Sequence, residues 1–395
     1  MKKSTTHLKT RGQRSKKTGA TYGGVSTMME APAANGLTEL VKPSGAINQA
    51  AAHPNFTYHG GPVVVCPLVY ASFWGSGWLT NPDQLVRAGH LTQFLRDLVR
   101  SKYMNILSQY GSGFGAGSGA FIRSSFVTNT PTQFTDASIH TLIQQCINAG
   151  VLPEPTKPSN TTLIIFLDEN MGVNDPNGIV MCEPTHDTAF GYHNFFNTSA
   201  AHPCYYAMIP ALNNACLTES CGNDASCSLH LAETQEQRQT QVISHEFAEM
   251  ITDPELNAWY DADGSENGDI CNGNAGTITV GSNTWTVQRM YSKYDDIQSN
   301  GALTCVTEPP NPLPRLTPGP ASRPAMEARA RSMPPFDRLL PLPTVHYDAK
   351  AHQVKLDEKA LQEYASQLFY PLQVEHVMAD LPGFLREAAD VLSKA

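Results

Sequence analysis

The sequence lacks any apolar run long enough to cross a bilayer, and it carries little charge for its length. Charged residues make up 16% of its 395 residues, and the formal net charge at pH 7 is -9. A membrane-spanning helix needs about 20 consecutive apolar residues, so we expect no transmembrane segment. The acidic balance supplies no broad basic surface, and we expect no nucleic-acid partner.

The start of the chain lacks the apolar segment of a secretory signal. Residues 1–17 are basic and rich in Ser, Thr and Gly, but no hydrophobic stretch follows them. No recognisable signal peptide is therefore predicted. Residues 1–55 as a whole are interpreted as a basic, disordered arm with an extended lead-in.

Cysteine, by contrast, is plentiful, with nine residues in the chain. Four of them crowd one loop-like stretch and two more flank the next region: Cys204, Cys216, Cys221, Cys227, Cys271 and Cys305. Their spacing is not the paired C-x-x-C of a structural zinc site, so disulfides are predicted. Disulfides indicate a secreted or extracellular location. The odd number leaves at least one thiol free.

Apolar runs and helical periodicities alternate through residues 56–308, which we interpret as one domain. The predicted strands and helices, in chain order, are strand 62–73, a helix from 82 towards 103, strand 121–128, helix 136–149, strand 161–167 and short strands 179–182 and 205–209. Alternating elements favour right-handed crossovers and a parallel sheet. The fold predicted is α/β (α+β), with a mixed, mostly parallel sheet. The order is similar to the N-terminal lobe of zincin metalloproteases.

The last part of the chain changes composition. Residues 277–291 predict a hairpin that closes the domain. Residues 309–345 are Pro-rich and predict a semi-rigid linker. Residues 346–395 predict a C-terminal helical appendage, with two short amphipathic helices in 356–395 that could fold back or mediate self-association.

The stretch V-I-S-H-E-F-A-E-M-I-T-D-P contains the main chemical motif. On a helix, His245 and Glu249 stand one turn apart on one face, with Glu246 beside them. An imidazole and a carboxylate so placed can hold a divalent ion, and Glu246 can take a proton from water on that ion. This has the form of the zincin H-E-x-x-H motif with Glu in place of the second His.

A third metal ligand has several candidates downstream. Asp253 lies two helical turns beyond His245 and is the first choice, while Glu266 and Asp269 follow on an acidic, glycine-bent loop. Carboxylate ligands extend the choice from zinc to harder ions such as calcium. The alternative is a solvated acidic turn after an ordinary amphipathic helix.

Two histidines upstream of the motif are further candidates. His186 and His193 lie in the polar segment H-D-T-A-F-G-Y-H-N. Each is interpreted as a possible ligand or oxyanion stabiliser, although a single His is more often structural.

Several short blocks of the sequence resemble the phosphate-induced protein 1 family, whose plant members are the EXORDIUM proteins. The matching stretches, between about residues 56 and 307, are Y-H-G-G-P-V, S-F-W-G, L-V-R-S-K-Y-M-N-I-L-S-Q-Y-G, S-H-E-F-A-E-M-I-T-D-P, D-I-C and Y-S-K with a later Cys. The resemblance implies a shared fold, secretion and an association with the cell wall. It implies no settled catalytic activity.

Two functions from different classes follow. The first is a metal-dependent hydrolase, a zinc peptidase acting on a peptide or protein, with Glu246 as general base. The second is a non-catalytic, secreted, EXORDIUM-like binding protein of the cell wall or surface, with structural calcium or no metal. Replacing Glu246 discriminates between them.

Overall fold

A computed structural model describes residues 56–111, 119–175, 179–182, 188–221, 227–299, 301, 304–309, 345–351 and 353–356. The predicted arm 1–55, most of the predicted linker, His186 and residues 357–395 lie outside the described residues. No helix among the described residues is long and apolar enough to cross a membrane.

The helices are α1 (Gly77–Thr80), α2 (Pro82–Leu98), α3 (Met104–Ser108), α4 (Asp136–Asn148), α5 (Asn214–Cys221), α6 (Gln235–Thr252), α7 (Lys293–Ser299) and one 3-10 turn at Asp269–Cys271. The strands are β1 (Thr57–Tyr58), β2 (Leu68–Trp74), β3 (Ala120–Thr128), β4 (Gln133–Phe134), β5 (Thr161–Leu167), β6 (Gly172–Val173), β7 (Val180–Met181), β8 (Thr188–Ala189), β9 (Tyr192–Asn197), β10 (Pro203–Ile209), β11 (Trp259–Tyr260), β12 (Ala275–Val280), β13 (Asn283–Gln288), β14 (Met290–Tyr291), β15 (Cys305–Val306), β16 (Val345–Asp348) and β17 (Gln353–Leu356).

A seven-stranded sheet forms the centre of the fold. Its strand order is β17-β16-β3-β2-β5-β10-β9. The inner strands from β16 to β10 run parallel, while β17 and β9 pair antiparallel at the two edges. The predicted α/β fold with a mixed, mostly parallel sheet is therefore confirmed.

Helices cover both faces of this sheet, as the unbroken apolar strands require. Successive side chains of a strand point to opposite faces, so β5 sends Ile164 and Phe166 into one core and Leu163 and Ile165 into the other. Apolar residues of α2 and α6 fill the first core, and those of α4 fill the second.

Helix α6 is the buried helix that carries the H-E-F-A-E motif. Thr234 and Gln237 form a reciprocal capping box at its start, which satisfies two backbone N–H groups of the first turn. The helix contacts β9 and β10 of the sheet and also β13 of the β12–β13 hairpin. The helix ends at Thr252, before Asp253-Pro254, because the residue before a proline avoids helical angles.

Two segments differ from the sequence interpretation. Strand β9 was not predicted, because its sequence Y-H-N-F-F-N does not alternate between polar and apolar residues, yet it pairs along its length with β10. The predicted helical appendage 346–395 begins instead with the hairpin β16–β17, which adds two strands to the sheet beside β3. Backbone pairing with the sheet edge decides the conformation there.

Three disulfides confirm the general prediction from cysteine usage: Cys182–Cys216, Cys221–Cys227 and Cys271–Cys305. The inclusion of Cys204 was wrong. Its side chain lies fully buried in β10, within the core shared with α4, and it is a free thiol together with Cys66 and Cys146.

The Cys271–Cys305 disulfide fixes the 3-10 turn Asp269–Cys271 to β15. It spans 34 residues, and closing a loop of that length contributes about 4 kcal/mol through the unfolded chain. We expect the paired change to Ser at Cys271 and Cys305 to lower the free energy of unfolding by about that amount. Denaturant unfolding measures it, with Cys66→Ser as the control. An unfolding free energy equal to that of the control would contradict the expectation.

Candidate metal centre

The second half of α6 brings three functional side chains to one buried place. His245, Glu246 and Glu249 are each 0% exposed. His245 Nε2 lies 3.0 Å from Glu249 Oε1, one helical turn away. The predicted juxtaposition of His245 and Glu249 is therefore present.

The loop after α6 supplies two further carboxylates. Asp261 folds this loop, since its Oδ1 accepts hydrogen bonds from the backbone N–H groups of Asp263 and Ser265 at 2.9 and 2.8 Å. Glu266 is consequently turned inward and is 0% exposed. Asp269 follows in the 3-10 turn, and its side chain retains 7% of its exposure.

One donor set consists of His245, Glu249 and Asp269, whose ligand atoms all lie within 4.8 Å of one another. His245 Nε2 is 3.7 Å from Asp269 Oδ1. The backbone N–H of Asp269 also donates to Glu249 Oε1 at 3.1 Å. Donor atoms in a tetrahedral zinc site stand about 3.4 Å apart, so the set has the dimensions of a cation site.

A second donor set adds His193 from β9 and shares Glu249 with the first. Its members are His193, Glu249 and Glu266, again within 4.8 Å. His193 Nδ1 is 3.8 Å from Glu249 Oε2, and Nε2 is 3.6 Å from Glu266 Oε2. Glu246 Oε2 lies beside this set, 3.7 Å from His193 Nδ1.

Asp253, the first choice for a third ligand, belongs to neither donor set found among the described residues. It ends α6, and its Oδ1 accepts hydrogen bonds from the backbone N–H groups of Asn257 and Ala258, both at 2.6 Å. Its carboxylate therefore organises the turn after the helix. Glu266 and Asp269 are the predicted loop carboxylates that do join donor sets.

Gly268 lets the loop approach α6 closely. A Cβ at this position would lie 2.7 Å from Glu249 Oε1 and 2.9 Å from the His245 ring. Any larger residue would push the loop, and with it Asp269, away from the helix.

Burial dominates the electrostatics of the cluster. It raises the pKa of Glu246, Glu266 and Asp269 well above the ordinary range, and repulsion from Glu249 raises each further. Burial also raises the pKa of Asp253 to about 7 and lowers that of His193 to about 4. Several buried negative charges close together are therefore costly unless protons or a cation accompany them.

The bonding state of the donor atoms fits a cation. Both carboxylate oxygens of Glu266 lack a hydrogen-bond partner among the described residues, as do His193 Nδ1 and Asp269 Oδ1, and Glu246 receives no side-chain hydrogen bond there. Buried polar atoms normally have such partners. These atoms converge on one place, and a divalent ion is the partner that nitrogen and carboxylate donors share.

Gln288 of β13 lies behind His245. Its Nε2 is 2.7 Å from His245 Nδ1 and also donates to the Gly268 carbonyl at 2.8 Å. This contact makes Nδ1 the acceptor and leaves the ring proton on Nε2. Burial lowers the pKa of His245, but Glu249, Asp269 and Gln288 together raise it above its ordinary value. Cation binding at Nε2 requires that proton to move to Nδ1 and the Gln288 amide to turn its oxygen toward the ring.

Sequence reasoning treated His193 as a secondary candidate and did not identify Gln288. Neither position is linked to the motif by spacing. Tyr192, Phe195 and Phe196 favour a strand by composition, and recognising that strand would have placed His193 beside α6. The contribution of Gln288 depends on how the hairpin packs, for which the sequence carries no local signal.

Comparisons of the chain with models of protein families, with curated proteins and with solved structures found no match.

The raised carboxyl pKa values predict how pH affects the cation-free protein. A group whose pKa is higher in the folded chain stabilises it below the ordinary pKa and loses that effect as pH rises through the raised value. His193 acts in the opposite sense, but its contribution is complete above its ordinary pKa of 6.5. We therefore expect the melting temperature of the chelator-treated protein to fall as pH rises above about 6.5 through the raised pKa values, by about 5 °C altogether.

Saturating zinc should reduce this loss, because cation binding replaces protons on the ligands. Differential scanning calorimetry of the full chain measures both curves. Glu266→Gln, which removes one of the raised carboxyl groups, should flatten the curve in chelator. A melting temperature that rises with pH in chelator would show that ionisation of these buried carboxyl groups does not destabilise the protein.

Proposed function

We propose that the protein is a metal-dependent hydrolase that uses zinc and cleaves peptide bonds. Glu246 carries the proposal. Its carboxylate is completely buried, receives no side-chain hydrogen bond among the described residues, and interacts with Glu249, Asp269 and His193 of the two donor sets. A structural carboxylate is normally satisfied by its surroundings, whereas a general base needs free lone pairs.

His245, Glu249 and Asp269 are the residues that would hold the catalytic ion. When bound, a zinc ion lowers the pKa of water and polarises a carbonyl group. His245 and Glu249 are held by α6, while Asp269 is held by the 3-10 turn and its disulfide. Their fixed positions limit the movement of the donor atoms, as a preorganised site requires.

Glu246 would accept the proton of the attacking water and return it to the leaving amine. Burial and the neighbouring carboxylates raise its pKa, and positive charge placed among them moves that pKa back toward the working range of a general base. The backbone of His193 hydrogen-bonds to Glu246 and would help to orient its carboxylate.

The peptide substrate and the family remain proposals from the sequence. The H-E-x-x-E pattern, with the zincin form, supports a peptidase. The block resemblance to the phosphate-induced protein 1 family supports an extracellular, wall-associated role. Three disulfides are compatible with a secreted protein.

Glu246→Gln tests the catalytic role. The amide keeps the size of the side chain but cannot act as a base, so we expect peptide hydrolysis to fall by about a hundredfold to ten-thousandfold. Zinc content and melting temperature should stay close to those of the unchanged protein. The assay uses a mixture of proteome-derived peptides analysed by mass spectrometry.

Glu236→Gln is the matched control, since Glu236 lies on the first turn of the same helix and pairs with His90 at the surface. This variant should retain full hydrolysis. Equal activity of the Glu246 and Glu236 variants would disprove the role of Glu246 as the base.

One observation favours a second candidate, a secreted binding protein with structural calcium. Carboxylate oxygens outnumber ring nitrogens in each donor set, and calcium prefers oxygen ligands. In that case Glu246→Gln changes no activity.

Elemental analysis of the natively purified full chain tests the metal itself. We expect stoichiometric zinc, and we expect His245→Ala to lose it because one of the three donors is removed. His90→Ala, a surface change, is the control. Calcium in place of zinc would favour the binding protein, and absence of any stoichiometric metal would leave both metal-based functions without support.

A further inference from the structure

We infer that the site holds two divalent cations that share Glu249 as a bridging carboxylate. This inference deepens the proposed function by adding a second metal position to the catalytic one. The first position is formed by His245, Glu249 and Asp269, and the second by His193, Glu249 and Glu266.

The two oxygens of Glu249 face different partners. Oε1 lies 3.0 Å from His245 Nε2, and Oε2 lies 3.8 Å from His193 Nδ1. A carboxylate that presents one oxygen to each of two imidazoles is placed to bridge two ions. Ions in two-metal hydrolytic sites stand about 3.5 to 4 Å apart, which is the span of a bridging carboxylate.

The second position has its own evidence beyond the acidic cluster. His193 and Glu266 are both 0% exposed. His193 Nδ1 and both oxygens of Glu266 lack a hydrogen-bond partner among the described residues. Neither side chain belongs to the first donor set. An ion in the first set would therefore give these atoms no partner.

The charge count also favours two ions. Glu246, Glu249, Glu266 and Asp269 carry four negative charges when ionised, and Asp253 is set apart by its two backbone hydrogen bonds. One divalent cation balances half of these four charges, and two balance all of them. Uncompensated buried charge is strongly unfavourable.

The donor chemistry is matched at the two positions. Each has one imidazole and one carboxylate of its own, in addition to the shared Glu249. Imidazole combined with carboxylate suits zinc and related transition metals better than calcium or magnesium. We therefore expect both positions to take zinc.

Zinc titration of the chelator-treated full chain tests the inference by counting bound ions. Native mass spectrometry and isothermal titration calorimetry should give two zinc ions per chain. Glu266→Gln should retain one ion, and Asp269→Asn should also retain one. Glu249→Gln should weaken both, with at least a tenfold loss of affinity for each remaining ion. Asp263→Asn, at an exposed position of the same loop, is the control and should retain two ions.

A single zinc ion per chain in the unchanged protein overturns the inference, as does loss of all zinc from Glu266→Gln when circular dichroism shows that this variant is folded. His193→Gln offers a second approach to the same position and should also retain one ion. One bound ion together with Glu246-dependent hydrolysis would refute the second position while leaving the proposed function intact. Two bound ions without hydrolysis would support the second position and refute the proposed function.

Discussion

The main constraint on this fold is that a group of acidic side chains lies inside the protein. Glu246, Glu249 and Glu266 have no exposed surface, yet each carries a group that water solvates strongly. Burial of that kind is tolerated only where opposite charge, protons or metal ions share the site. The sheet, α6 and the hairpin β12–β13 together enclose the cluster, so the packing that stabilises the fold also requires protons or positive charge beside these carboxylates.

Three separate parts of the chain contribute to this cluster, and each is held by a different interaction. Pairing with β10 holds β9 and thus His193. The capping box and apolar contacts hold α6. The loop that carries Glu266 is folded by Asp261, tied by the Cys271–Cys305 disulfide and brought close to α6 through Gly268. The hydrogen bond from the Asp269 N–H to Glu249 then joins the loop to the helix.

The sequence predicted what depends on local pattern. Helical spacing placed His245 beside Glu249, and continuous apolar residues predicted β5 with the bounds observed. It could not predict which carboxylate would turn inward, because that is decided by backbone hydrogen bonds such as those of Asp253 with Asn257 and Ala258. The same limit applies to His193, whose position follows from the pairing of distant strands, and to the hairpin β16–β17 at the start of the predicted C-terminal segment.

The near-complete burial of the donor side chains has a consequence for exchange kinetics. Among the described residues of the two donor sets, Asp269 is the one whose side chain keeps some exposure. If the site holds the proposed ions, an ion between α6 and the loop would leave only when the loop opens locally, so its release rate would report that opening as well as affinity. Dilution alone would then remove the ion slowly, and a chelator would act no faster than the protein's own fluctuations.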